Sequence, residues 1–288
     1  MKPSGSRAYG YARVRAWKSR LLTREDVAPL LTATDAASVQ RALAVLGPES
    51  SFQRLLRIYE VVIRTNRASV PLFRTMLRLH EIENVKLLWR AVVRHRDRDR
   101  TRKLWIPFGS LATIPTSATV AATLRELADA LADTAFSGIA NDVLRAYADD
   151  LSSAELAFDR WASRQLFEEI RKLPRTESLA RHLLELVIRE RDSEILRRGE
   201  KSFGLSAAAT RAAAGTQVSD DPQLLRKQRL RICRRALRGD PFTLAPIVGL
   251  ILLAEEEVRA VRALVERQGD AALDAPLARA IAGSQIAP

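Results

Sequence analysis

The stretch RLHEIENVKLLWRAVVR, Arg78 to Arg94, limits what this chain can fold into more than any other. Stepping successive side chains by about 100° puts Ile82, Val85, Leu88, Trp89, Val92 and Val93 on one continuous apolar arc. Leu79, Leu87 and Ala91 extend apolar surface to the edges of the remaining strip, which carries Glu83, Lys86, Arg90 and Arg94. A helix apolar over most of its circumference belongs inside a bundle. Glu81 falls inside the apolar arc, between Val92 and Leu88, where an unmatched carboxylate is costly. It therefore requires a donor from a neighbouring element: an Arg, an Asn or a helix amino terminus. Asn84, three residues on, is a local candidate.

The helix Pro241 to Gln268 repeats the oddity. Ile247, Ile251, Ala254, Val258, Val261 and Val265 form its apolar arc, and Glu257 sits between Leu250 and Leu264. EIENVKLLW from Glu81 and EVRAVRALV from Glu257 align, each with a carboxylate followed by apolar residues one, four, seven and eight places later. Arg189 to Leu196 reads as a third, degraded copy, with Phe203-Gly204 after it as Phe108-Gly109 follows the first. One helical unit is repeated along the chain.

Composition agrees with helices. The sequence is rich in Ala, Leu and Arg, only 6% of its residues are aromatic, and its β-branched runs are short. The spacing predicts an all-α protein, with short helices before Gly47 and longer ones over Ser51–Asn66 and Val70–Arg94. Further helices are expected over VAATLRELADALA, NDVLRAYADDL, ELAFDRWASRQLFEEIRKLP and SLARHLLELVIRERDSEILRRGEKSFG, the last ended by Gly199 and Gly204, and then QLLRKQRLRICRRALRG and Pro241–Gln268. The charged run RHRDRDRTRKLWIPFGSL and the weakly apolar AAATRAAAGTQVSDDP are breaks. They divide the chain into three helical bundles, 1–110, 111–215 and 216–288.

Lys and Arg total 47 against 34 Asp and Glu, a formal net charge of +13. An anionic partner fits that balance: nucleic acid, a membrane surface or an acidic protein. The charge is densest on the helix carrying Arg226, Lys227, Arg229, Arg231, Arg234, Arg235 and Arg238. Leu230, Cys233 and Leu237 are expected to anchor that helix, leaving Arg226, Lys227, Arg234 and Arg235 to dock a partner. It has no aromatic residue on which single-stranded bases could stack, so an acidic protein surface or anionic lipid headgroups suit it better.

Catalytic signatures are missing. There is no phosphate-binding glycine loop, and His80, His95 and His182 have no metal spacing with one another or with the lone Cys233. No cofactor is expected. A single cysteine suggests a reducing compartment, the amino-terminal MKPSGSRAYGYARVRAW has no apolar stretch of the signal-peptide kind, and the apolar run Phe242–Ala254 falls short of a bilayer span.

Taken in order, YGYARVRAWKSRLL, HEIENVKLLWR with its following PFGSL turn, ELAFDRW and LLAEEEVRAVRALV resemble the recurrent stretches of the central-stalk subunit of rotary V/A-type ATPases, termed C in prokaryotic and d in vacuolar enzymes. The resemblance spans nearly the whole chain. It implies a pseudo-threefold funnel of three related bundles. It also implies a non-catalytic rotor part on the cytoplasmic face of the membrane, joining rotor-shaft subunits to the proteolipid ring and coupling ATP turnover to proton or sodium ion transport. The family's acid-x-x-Asn pair falls on Glu81 and Asn84, and its acid-Arg pair on Asp159 and Arg160. Arg189 and Asp192 depart from the pattern in the second copy, as does Ala260 in the third; Arg189 is placed to pair with Glu185 and Asp192 on its own helix. The competing expectation is a basic helical adaptor for nucleic acid or acidic protein surfaces.

Overall fold

The computed structural model describes residues 51–95, 101, 105–202 and 221–267, with isolated positions at 12–14, 16–19, 21, 38 and 41. The expected helices before Gly47, the segment holding Phe203 and Gly204, the side chain of Ala260 and the chain after 267 lie outside the described residues.

Eight α-helices and short 3₁₀ turns make up the elements among the described residues, and no strand occurs there. In chain order the helices are α1 (Ser51–Thr65), α2 (Val70–Val93), α3 (Leu124–Ala130), α4 (Ser137–Tyr147), α5 (Leu151–Arg171), α6 (Ser178–Ser202), α7 (Pro222–Ala236) and α8 (Ala245–Arg267). The expected all-α class is correct.

Local chemistry sets the ends. Asp150 caps α5 by accepting from Ser153 N at 3.0 Å, and Asp221 caps α7 by accepting from Gln223 N at 2.9 Å, with Pro222 in its first turn. α6 runs through Gly199 to Ser202, inside the expected segment. One boundary differs from expectation. The last helix begins at Ala245 rather than Pro241, because Asp240 accepts from Phe242 N at 2.8 Å and Glu177 accepts from Leu244 N at 2.7 Å. These bonds hold residues 240–244 in a turn. The second carboxylate is remote in sequence, so a local reading could not find it.

The packing order of the long helices closes on itself. α1 packs on α2, α2 on α5, α5 on α6, α6 on α7, α7 on α8, and α8 returns to α1, with α6 also touching α8. The short helices α3 and α4 are appended to α2 and α5 respectively. One continuous hydrophobic core draws residues from all eight helices, including Phe52, Phe73, Trp89, Phe136, Phe158 and Ile251. Trp89 of α2 meets Phe158 of α5 edge to face, ring centres 5.3 Å apart. α7 approaches α8 closely enough that a Cβ built on Gly249 would lie 3.1 Å from the Cys233 carbonyl oxygen and 3.3 Å from Ala236 Cβ.

Candidate functional site

Three helices pair with a successor across the circuit through a buried ion pair. Lys86 of α2 donates to Asp159 of α5 at 2.9 Å, Arg229 of α7 donates to Glu190 of α6 at 2.7 Å, and Arg54 of α1 donates to Glu257 of α8 at 2.8 Å. Lys86 is 0% exposed, Arg229 2% and Asp159 3%. The polarity is not uniform: the longer helix contributes the cation at the first junction and the carboxylate at the other two. Removing one member of such a pair leaves an uncompensated buried charge, which costs far more than the intact pair contributes. The clasps therefore fix register and partner choice between helices more than they add stability.

Around Lys86 the cluster is larger. Its ammonium also lies 2.6 Å from Glu83, Arg191 of α6 donates to Asp159 at 2.6 Å, and Arg90 forks onto Glu155 of α5 at 2.5 and 3.0 Å. The polar strip of α2 is thus largely interior: Glu83 is buried at 6% exposure and Lys86 completely. The physical reason is α5, which lays complementary charge over it. Burial works against the Arg191 and Arg90 guanidiniums, yet the neighbouring carboxylates hold both above the ordinary arginine value. They are fixed cations.

On α8 a second set of carboxylates gathers donors from several helices. Glu255 accepts from Tyr59 Oη of α1 and faces His80 Nε2 of α2, both at 2.8 Å. Burial pushes the Glu255 carboxyl up, but His80, Tyr59 and Arg229 outweigh it and leave the group below its usual value. Glu256 behaves alike, with burial offset by Arg226, Arg259 and Arg229. Arg259 bridges Glu190 at 2.8 Å and Glu256 at 3.6 Å, so α6, α7 and α8 share one charge network.

Glu81 is 1% exposed. It accepts from Thr113 N at 2.5 Å, Thr113 Oγ1 at 2.6 Å and Ile114 N at 3.0 Å, tying the loop after the Gly109–Leu111 turn onto α2. Burial raises its carboxyl above the ordinary value, opposed by these three bonds and by Arg78. Asn84 serves the same loop: its amide donates to Ile106 O at 2.8 Å and its oxygen accepts from Ile106 N at 2.9 Å, so its recorded bonds go to the loop and not to Glu81. Glu257, matched to Glu81 in sequence register, takes a guanidinium instead of backbone amides. Asp159 is clasped by Lys86 and Arg191, while its sequence neighbour Arg160 is solvent-exposed. Asp192 is 1% exposed and accepts from Ser163 Oγ at 3.2 Å, and Arg189 lies on the exposed side of α6.

The basic helix α7 sorts its cations differently from the expected pattern. Its buried face is Leu225, Arg229, Cys233 and Ala236, and Leu230 is only half-buried. Arg229 therefore occupies a core position, held by Glu190 and Glu256. Arg226 is half-buried and bonded to Glu256, so it is not available to a partner in the way expected. Lys227, Arg234 and Arg235 are exposed, as are Arg231 and Arg238. Burial pushes the Cys233 thiol up to about 12, which makes it inert at neutral pH.

Among the described residues no group of three His, Cys, Asp or Glu side chains is arranged to hold a metal ion, and no helix is long and apolar enough to cross a membrane. A cavity of about 190 Å³ beside the carboxyl end of α2 is lined by Leu88, Val92, His95 and small residues from 118–122. What the chain does offer is a closed helical circuit clasped by buried charge, with one strongly cationic outer helix.

No curated protein matches this sequence. The profile of the ATP synthase (C/AC39) subunit family matches residues 11–213, well over half of the chain, spanning α1 to α6 and the Lys86–Asp159 clasp. The chain belongs to the ATP synthase (C/AC39) subunit family of V/A-type enzymes.

Proposed function

We propose that this protein is the non-catalytic central-stalk subunit of a V/A-type rotary ATPase, a rotor part that receives the shaft subunits on one side and rests on the membrane proteolipid ring on the other. It acts at the cytoplasmic face and couples ATP turnover to proton or sodium ion transport. In this reading the bundles 1–110, 111–215 and 216–288 form a pseudo-threefold funnel around the shaft. Family membership supports the complex. The observation that carries the coupling role is the closed packing circuit with a buried ion pair at three of its junctions. A part that passes torque between shaft and ring must resist shear between its modules, and buried charge pairs hold register against sliding.

The nucleic-acid adaptor is the weaker reading. Arg54, Arg90, Arg191, Arg226, Arg229 and Arg259 are engaged by carboxylates of this same chain, which takes these six cations out of phosphate binding. Affinity purification of the tagged full chain from detergent-solubilised membranes tests the proposal. Recovery of a small membrane-embedded ring protein together with coiled-coil shaft subunits is expected. Recovery of nucleic acid that is released by salt in proportion to neutralised phosphates, with no ring or shaft, would replace it with the adaptor.

A further inference from the structure

Among the described residues, the outer face of α7 is a strongly charged surface that the circuit does not use. Lys227, Arg231, Arg234 and Arg235 fall within about 100° of arc and along about 12 Å of α7, and Arg238 follows in the turn beyond its end. All five are exposed, and among the described residues none forms an ion pair. Asp221 and Asp240 stand beyond the two ends of the stripe, and no acid lies within it. Leu224, 62% exposed, lies on the same arc, and Phe242, 51% exposed, follows the carboxyl end of the helix. These are the most exposed large apolar side chains among the described residues.

Helix α5 provides a contrast. It too exposes Arg160, Arg164 and Arg171 beside Phe167, but Glu168 lies among them with its carboxylate 3.9 Å from Arg171. That face is mixed in sign, as an ordinary solvated helix surface is. The α7 face is not.

We propose that the outer face of α7 is a docking surface for an anionic phospholipid membrane. A convex row of guanidinium and ammonium groups matches a plane of headgroup phosphates and carboxylates. Exposed leucine and phenylalanine at its ends suit the boundary between headgroups and acyl chains. An acidic protein partner would account for the cations but gives no reason for Leu224 to stand in water. The proposal goes beyond the stalk reading and does not depend on it, since it concerns the isolated chain and a lipid surface.

The test is co-sedimentation of the full chain with phosphatidylcholine vesicles, with and without one-third phosphatidylserine. Binding to the anionic vesicles and not to the neutral ones is expected, weakening as salt is raised. R234E/R235E should lower affinity at least about 25-fold, since each cation near such a surface is worth about fivefold. R160E/R164E on α5, with the same change in net charge, should leave it within about twofold. L224S/F242S should weaken binding without changing its salt dependence. Equal loss from the α5 and α7 pairs would reduce the effect to net charge and overturn the proposal. So would tight binding to neutral vesicles. If R234E/R235E detaches the chain from its complex while vesicle affinity is unchanged, the surface belongs to an acidic protein partner instead. Failure of the stalk reading would appear separately, as the absence of ring and shaft from the purified complex with vesicle binding intact.

Discussion

Lys86 gives the sharpest test of the clasps. It is fully buried between Glu83 at 2.6 Å and Asp159 at 2.9 Å, and Arg191 is the other cation in contact with both carboxylates. Replacing Lys86 by Met keeps the volume and the aliphatic stem but leaves two carboxylates facing one guanidinium. At 2.9 Å the gross attraction of a single pair is about 6 kcal/mol for an effective dielectric constant of about 20, most of it offset by desolvation in the intact protein. Deleting one partner removes the attraction and keeps the desolvation of the other, so Lys86→Met should cost about 3–5 kcal/mol. For a chain this large that lowers Tm by roughly 6–20 °C. Removing Asp159 as well relieves the stranded charge, so K86M/D159N should regain at least about 2 kcal/mol relative to the sum of the single variants. Urea unfolding followed by circular dichroism on the four proteins of the cycle measures this. A single-variant cost below about 1 kcal/mol, or additive single effects, would show that the junction is not held by a buried pair.

Glu81→Gln keeps the shape but replaces one acceptor oxygen by a donor facing Thr113 and Ile114, and should cost about 2–3 kcal/mol; a loss under half a kcal/mol would mean the loop is not anchored there. Gly249→Val should destabilise by about 1–3 kcal/mol, because its side chain would press on the Cys233 carbonyl and Ala236, and a neutral result would contradict the close approach of α7 and α8. Glu255 and Glu256 have folded values depressed below the ordinary carboxylate value of 4.5, so their stabilisation is present above that pH and is lost as pH falls through and below it. Stability measured from pH 6 to pH 3 should therefore decline steeply, and E255Q/E256Q should flatten the decline; an unchanged slope in the double variant would refute the assignment.

Much of the fold was legible because apolar spacing alone defines each long helix. Glu81 stood out for the same reason: a carboxylate on an apolar arc is conspicuous on a helical wheel. Glu83 and Lys86 were hidden by that same construction. A polar strip facing water and a polar strip facing a helix of complementary charge have identical spacing, and only the arrival of Asp159 and Arg191 distinguishes them. The faint signal was that α2 is apolar on almost every other side, leaving little of its surface for solvent. Arg229 was missed because a run of seven cations invites the assumption that all are solvated. Its phase with Leu225 and Cys233, four residues to either side, was the available clue, but its acceptors Glu190 and Glu256 lie far away in sequence. Asn84 was assigned to Glu81 through proximity on one helix, whereas both serve a loop twenty or more residues downstream.

The coupling role is tested most directly by ATP-driven ion uptake into vesicles carrying the rotary complex, assembled with and without this chain. Complexes lacking it should show no ATP-driven uptake, and adding back the wild-type protein should restore uptake together with its dependence on ATP. Full ion uptake without the chain, or restoration of ATP hydrolysis with no restoration of transport, would contradict it.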